Sequence, residues 1–391
     1  MKTIWKRLKR YVDGDPSPVD VLTLTDPATI AGFRDLSREL RARRPVCPLS
    51  SGGVLLLEPE DVKHAFSSSA LSNQPSRFSA LAAKNKDKYI AASVASHILP
   101  FLDGPLHVTT RQWASRAFFR HLRDFKGQIH DIATRHCRTM DVGQSYHLVE
   151  DVARRFVVEV MGAFIGIDLC ASDLKRCTSA LFRLFAPAFD AETFAETNEA
   201  LALARNHLGE ALEARRQDLA PCLLNALDAT YPDELGQDER DLQIIDNALL
   251  FLADGVENVE AAVGIVMMRY AQEPQALAEE FVRTAITADT PGQAIARIAS
   301  EDIAIGGETL TAGTPVFLSL SSANDGSATG DDFTFGRGRH KCLGENLAVT
   351  MVTELCAQLA DKVPDINSDK LTYRAMFGHK WPRGITVTLT R

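Results

Sequence analysis

The sequence predicts a mainly α fold (α+β) with a small β-sheet region, and three observations carry that reading. Apolar residues recur at helical spacing through most of the chain, short alternating apolar runs broken by Gly and Pro gather toward its two ends, and one long stretch is apolar around nearly its whole circumference. The 391 residues are 45% hydrophobic and 24% charged, an ordinary globular composition with chain enough for a core and a sizeable ligand. No repeat, low-complexity linker or composition shift divides them, so residues 1–391 read as a single domain.

The elements follow in order. "DPATIAGFRDLSRELRARRP" is a helix that Pro45 stops, and "GGVLLLEP" is a short strand bracketed by Gly and Pro. Residues 108–220 carry several helical stretches joined by short polar breaks. "LQIIDNALLFLADGVENVEAAVGIVMMRYAQEP" has the all-round apolarity of a helix buried through the interior, with a polar interruption at its centre. "QALAEEFVRTAI" adds a helix, "EDIAIGGETLTAGTPVFLSL" reads as small strands joined by turns, and "GITVTLTR" closes with one more strand.

Charge and cysteine usage exclude several classes of function. With 43 Lys and Arg against 51 Asp and Glu the net charge is −8, which favours neither nucleic acid nor anionic membrane as a partner. The seven cysteines are odd in number, scattered and without a Cys-x-x-Cys pair, which argues against a disulfide framework or zinc knuckle and for a reducing cytoplasm. No transmembrane-length apolar run occurs; residues 1–20, basic at the start, read as a frayed terminus, with a membrane-surface helix as the alternative.

"FGRGRHKCLGENLA", Phe335 to Ala348, sets Cys342 where a Gly-rich loop enters a helix whose face is Leu343, Leu347 and Met351. The helix N-terminus and Arg337, Arg339, His340 and Lys341 favour a thiolate, while Gly336, Gly338 and Gly344 let backbone pass close beneath a flat group. A thiolate held this way is a metal ligand or a nucleophile with His340 as base; a buried structural cysteine is the third reading. The combination of Phe335, the glycines, His340 and Cys342 at these offsets resembles the haem-ligand signature of bacterial cytochrome P450 enzymes.

That resemblance implies the P450 fold, a helical bundle enclosing haem b (iron protoporphyrin IX) with Cys342 as the iron ligand, and a set of landmarks in fixed order. "GPLHVTTRQWASRAF" supplies His107 and Arg111, one helical turn apart, and the strand region supplies Arg297; with His340 these give four partners for two haem propionates. "AEEFVRTAI" supplies Glu280 and Arg283 as a structural ion pair. The central helix departs from the family: Asp254, Gly255, Val256, Glu257 and Asn258 stand where a small residue, Gly, any residue, an acid and Thr are usual. Glu257 and Asn258 are therefore the expected catalytic pair, delivering protons through ordered water although an amide cannot relay one. A second departure is a shortened meander, "GSATGDD", which lacks the Arg that joins Glu280 and Arg283 in the family.

The activity implied is that of a haem-thiolate monooxygenase inserting one oxygen atom from dioxygen into a small organic substrate, in secondary or specialised metabolism. Electrons would come from a ferredoxin or flavodoxin docking near Arg337, Arg339 and Lys341. The rivals are a peroxide-driven or non-oxygenating enzyme (coupling, rearrangement, dehydration) and a degenerate haem-binding recruitment module. Asp254 and Phe377 are candidates for the substrate cavity, with Phe182, Phe185, Phe189 and Met376 as further apolar positions; Asp254 reads equally as a residue bonding a kink in its helix.

Overall fold

The computed structural model describes residues 10–390 except 12, 75–79, 169–170, 186–189 and 363. The basic start of the chain and Phe189 thus lie outside the described residues. From Arg10 the expected frayed terminus is replaced by packed chain: Tyr11 is 1% exposed, its hydroxyl accepts from Arg10 over 2.6 Å and from the Asp20 amide over 3.3 Å, and Val19 bridges to Leu49. One buried phenol with its oxygen satisfied holds this segment.

Helix α1 (Pro27–Arg41) begins where the sequence signals it. Asp26 Oδ1 accepts from the amides of Ala28 and Thr29, and Pro27 occupies a position that needs no N–H. Strands β1 (Val46–Pro48) and β2 (Val54–Leu56) follow, then α2 (Pro59–Ser67), β3 (Leu71–Ser72), α3 (Ile90–His97), the 35-residue α4 (Gly104–Arg138) and β4 (Ser145–His147). The helical middle consists of α5 (Arg154–Ile165), α6 (Ala171–Arg183), α7 (Ala191–Asp218), α8 (Leu223–Ala229) and α9 (Arg240–Gln272). Helix α9 is the apolar stretch of the sequence; buried residues surround it from Ile244 to Met267, and α5, α6 and α7 pack on it.

After α10 (Glu279–Ala288) come β5 (Ala294–Ala299), β6 (Ile303–Ile305), β7 (Glu308–Leu310), β8 (Pro315–Ser319) and α11 (Leu320–Gly326). The chain ends with α12 (Glu345–Ala360), β9 (Pro364–Asn367), β10 (Thr372–Tyr373), β11 (Pro382–Arg383) and β12 (Thr386–Leu389). The main sheet has the order β1-β2-β8-β5-β3, so strands far apart in sequence meet, with β2 parallel to β8. Gly53 permits this: at φ +89° a side chain is strained, and a Cβ would lie 2.3 Å from the Pro315 carbonyl oxygen. No described helix is long and apolar enough to cross a membrane.

Candidate haem-thiolate site

The ligand loop is folded by its own backbone. The Cys342 amide donates to the Phe335 carbonyl over 2.9 Å, and Gly336 and Gly338, both at φ +67°, turn the chain between them. Their missing side chains clear Phe66 on α2, whose ring lies 3.5 Å from a Cβ at Gly336 and whose carbonyl oxygen lies 3.1 Å from one at Gly338. A Cβ on Gly344 would stand 3.8 Å from the Cys342 sulfur, and the Gly344 amide donates to that sulfur.

Cys342 is the one described cysteine that is not buried by its neighbours. Desolvation nevertheless pushes its thiol up to about 12, and the charge of Asp254 adds to the rise. The residue thus keeps accessible surface while its sulfur is surrounded by protein. The expected thiolate-stabilising cations point elsewhere: Arg337 pairs with Asp331, Arg339 reaches the Leu71 carbonyl and Asp103, Lys341 pairs with Glu345, and His340 meets Asp103. Each of the four is engaged by a carboxylate or carbonyl, and it is the Arg111 charge that acts on the sulfur in favour of the thiolate.

Around the loop stand the four predicted propionate donors. The His107 and His340 rings lie 4.1 Å apart, and His107 Nε2 is buried without a hydrogen-bond partner among the described residues. Arg297 is 7% exposed, and the one hydrogen bond it donates is to the adjacent Ala296 carbonyl. Arg111 donates to the Lys341 carbonyl. Burial, reinforced by neighbouring cations, lowers His107 to about 4 and Arg297 to about 10, and burial lowers Arg111 and His340 as well.

These residues fit a haem. Among the described residues no group of three or more His, Cys, Asp or Glu could hold a metal ion, so a single sulfur ligand requires a metal that arrives in its own macrocycle. The orphaned His107 nitrogen, Arg297, Arg111 and His340 are the partners that two propionates call for.

On α9 the predicted catalytic residues are already bonded. Glu257, 2% exposed, accepts from Thr178 and Ser179 over 3.1 and 3.0 Å and pairs with Arg374 at 2.9 Å. Asn258 Oδ1 accepts from the Trp381 indole N–H over 3.1 Å, while Gly255 abuts Met161. Asp254 makes no hydrogen bond or ion pair among the described residues, neither to a kinked backbone nor to a side chain, and burial alone pushes its carboxyl up to about 7. The residue of this segment that faces Cys342 is thus Asp254.

Two expectations are corrected. Arg283 does not pair with Glu280, which is exposed; it bonds Glu279 at i−4 and Glu345 at the start of α12, each at 2.8 Å. The missing meander Arg leaves Arg283 free to reach Glu345, which also holds Lys341. Phe377 does not accompany Asp254: the turn at Gly378, φ +73°, lays it against β5 and β8, where it meets Phe317 at 5.0 Å in the cluster with Leu24, Phe33 and Leu55.

The shortened meander is closed by ions. Asp325, 5% exposed, takes Arg34, Arg38 and Arg41 of α1, and Asp331 takes Lys63 and Arg337. Phe333, just after them, is fully buried and stacks with Phe66. Sequence reasoning missed Asp103, Arg374, Trp381 and Glu345. Asp103, just ahead of the helix that carries His107, accepts from Ser72 and the Asn73 amide over 2.7 and 2.6 Å and meets His340 at 3.4 Å. Its place directly before a "GPLH" helix start was the available signal.

No family model matches the chain. Over 370 residues it is 27% identical to the nocardicin C N-oxygenase of Nocardia uniformis subsp. tsuyamanensis, covering 87% of each chain. Over 302 residues it is 26% identical to the vitamin D(3) 25-hydroxylase of Pseudonocardia autotrophica, covering 70% of this chain and 73% of that one. Among solved structures, CxnD, a cytochrome P450 enzyme for C–S bond formation in chuangxinmycin biosynthesis, superposes with TM-score 0.82 at 19% identity over 96% of this chain and 99% of its own. CalO2 superposes with TM-score 0.80 at 20% identity over 94% and 98%. Relatives by sequence and neighbours by fold converge on the family that the ligand loop resembles: the fold is that of the cytochrome P450 enzymes, and the chain is similar to bacterial cytochrome P450 monooxygenases over most of its length.

Proposed function

We propose that this P450 inserts one oxygen atom of dioxygen into a small organic molecule of specialised metabolism, in the cytoplasm, with electrons from a separate ferredoxin or flavodoxin. The observation that supports the reading is Cys342, accessible yet desolvated, on a loop beside the buried donors His107, Arg111, Arg297 and His340. The relatives' names cover oxygenation at nitrogen and hydroxylation, so the bond attacked is left at that level.

Haem b held by Cys342 would supply dioxygen activation and oxygen transfer. His107, Arg111, Arg297 and His340 would bind its carboxylates, and Gly336 and Gly344 would leave room along the loop. Trp381 fixes the Asn258 amide so that Nδ2, unpartnered among the described residues, is the end left to donate to water or dioxygen. Glu257 would move a proton by exchanging one of its three partners, Thr178, Ser179 or Arg374.

Electron delivery would use the proximal face. Of the three loop cations Lys341 is the most exposed at 53%, and each is paired, Lys341 with Glu345, Arg337 with Asp331 and Arg339 with Asp103. Arg116 and Arg120, exposed on the helix that carries Arg111, extend the basic surface, with exposed Val108 and Phe119 beside them. Reversing Lys341, Arg116 and Arg120 together should slow reduction by an acidic ferredoxin at low salt; an unchanged rate would discard this docking face.

The test of function is reconstitution with haem, a surrogate ferredoxin and reductase, and isotopically labelled dioxygen. Label in a product, lost in Cys342→Ala, is expected; a haem-loaded protein that consumes electrons yet labels no compound from a broad substrate set would sink the reading. The locked Glu257 favours one second reading, in which hydrogen peroxide brings both oxygen and protons. Peroxide as sole oxidant separates the two, and haem binding with no product under either regime points to the recruitment module.

A further inference from the structure

Helix α9 carries five acids, and four of them have an arginine. Asp241 is met by Arg216 at 2.6 Å, Asp246 by Arg205 at 2.6 Å with His97 on the same carboxyl, Glu257 by Arg374 at 2.9 Å, and Glu260 by Arg154 at 3.0 Å. The fifth, Asp254, has no cation and no donor among the described residues. It is also the acid of this helix whose charge acts on the Cys342 sulfur, and the residue keeps some accessible surface. An interior carboxylate without a partner is costly, and each neighbouring site on this helix avoids that cost.

From this juxtaposition, and resting on the reading that Cys342 holds haem, we propose that Asp254 is the specificity-determining residue of the substrate cavity. It selects small organic molecules that carry a cationic nitrogen, and the substrate's ammonium group supplies the counter-ion that the protein does not. Arg374 is committed to Glu257, Arg111 to the Lys341 carbonyl, and the Trp381 indole to Asn258. Asn258, one turn further along, presents its Nδ2 beside the same cavity and can orient a neutral polar group of the same molecule.

The experiment uses haem-loaded protein and two probes of equal shape, (2-phenylethyl)trimethylammonium and its uncharged isostere (3,3-dimethylbutyl)benzene. The quaternary nitrogen has no lone pair and cannot ligate iron. Affinities are read by calorimetry and by the haem absorbance shift, independently of turnover. We expect the cation to bind at least about tenfold more tightly than the isostere, as desolvated charge pairs do. Asp254→Asn should abolish that ratio while the isostere binds as before, and Asp254→Glu should retain part of it; Asp254→Ser is the charge-free variant should the Asn form not take up haem.

Equal affinity of the wild-type protein for the two probes overturns the proposal, as does an unchanged ratio in Asp254→Asn or Asp254→Ser. So does an Asp254→Asn protein that binds the cation normally but loses product per electron consumed, since Asp254 would then be a proton donor. If the ratio behaves as expected while no labelled product forms with any substrate, the oxygenase reading fails and the anchor stands.

Discussion

Trp381 donates its indole N–H to Asn258 Oδ1 over 3.1 Å, and this bond decides that Nδ2 is the end of the amide left without a partner among the described residues. Trp381 is fully buried and wedged between Phe182 and His379, with ring centres 5.0 and 4.6 Å away, so it cannot turn to release the amide. Trp381→Phe should leave the Asn258 oxygen without its donor at a cost of about 1–3 kcal/mol in urea unfolding of the haem-loaded protein. Product formed per electron consumed should fall a few-fold with the substrate KM unchanged. An unaltered yield would mean that the orientation of Asn258 is irrelevant to proton delivery.

His107 separates haem retention from folding. Its Nε2 is buried without a partner among the described residues, which disfavours the haem-free protein by leaving a polar atom desolvated. His107→Phe should therefore leave the thermal midpoint of the haem-free protein unchanged or slightly raised, while haem affinity falls by roughly tenfold or more, the worth of one charge-assisted hydrogen bond. A parallel fall in both would show that His107 is a packing residue.

Acid should open the shortened meander first. Arg38, then Arg34, hold the Asp325 carboxyl down to about 2 against an ordinary 3.8. A depressed folded-state value means that the contribution is present in full above the unfolded value and is lost as pH falls from about 4 towards 2. Screening by solvent at Arg34 and Arg38, 42% and 50% exposed, reduces the contribution to about 1–2 kcal/mol. Asp325→Asn should show this loss at neutral pH and a flatter acid limb in equilibrium unfolding, and an acid limb equal to that of the parent would remove Asp325 from the account.

Glu345 and Glu280 should differ where the family pattern would rank them the other way. Glu345→Ala unties both Arg283 and Lys341 from the start of α12 and should cost about 1 kcal/mol and speed haem loss, measured by transfer to an acceptor haem protein. Glu280→Ala, exposed and unpaired with Arg283, should change stability by less than about 0.5 kcal/mol. The reverse ranking would restore the Glu280–Arg283 pair.

The legible parts of the site were those whose chemistry is contiguous in the chain. The offsets of Phe335, Gly336, His340 and Cys342 fix a loop by local backbone geometry, and His107 with Arg111 share a helix face at one-turn spacing, so both could be read without knowing what lies opposite. Choices between near-equivalent partners were not legible. Glu279 and Glu280 are adjacent, and which one meets Arg283 depends on the rotation of α10 against α12. Phe377 reads as a cavity residue until the turn at Gly378 carries it to β5 and β8.

By itself the sequence determined the mainly α fold, the buried central helix, the thiolate ligand loop and the basic groups around it, because periodicity and short motifs act through neighbouring residues. Only the tertiary structure decided what each buried charge meets. It gave Glu257 to Arg374, Asn258 to Trp381 and Asp325 to three arginines of α1, and it left Asp254 alone beside the sulfur. A charge taken out of water needs a partner at hydrogen-bond distance, and chain segments separated by a hundred residues or more come within that distance only through packing.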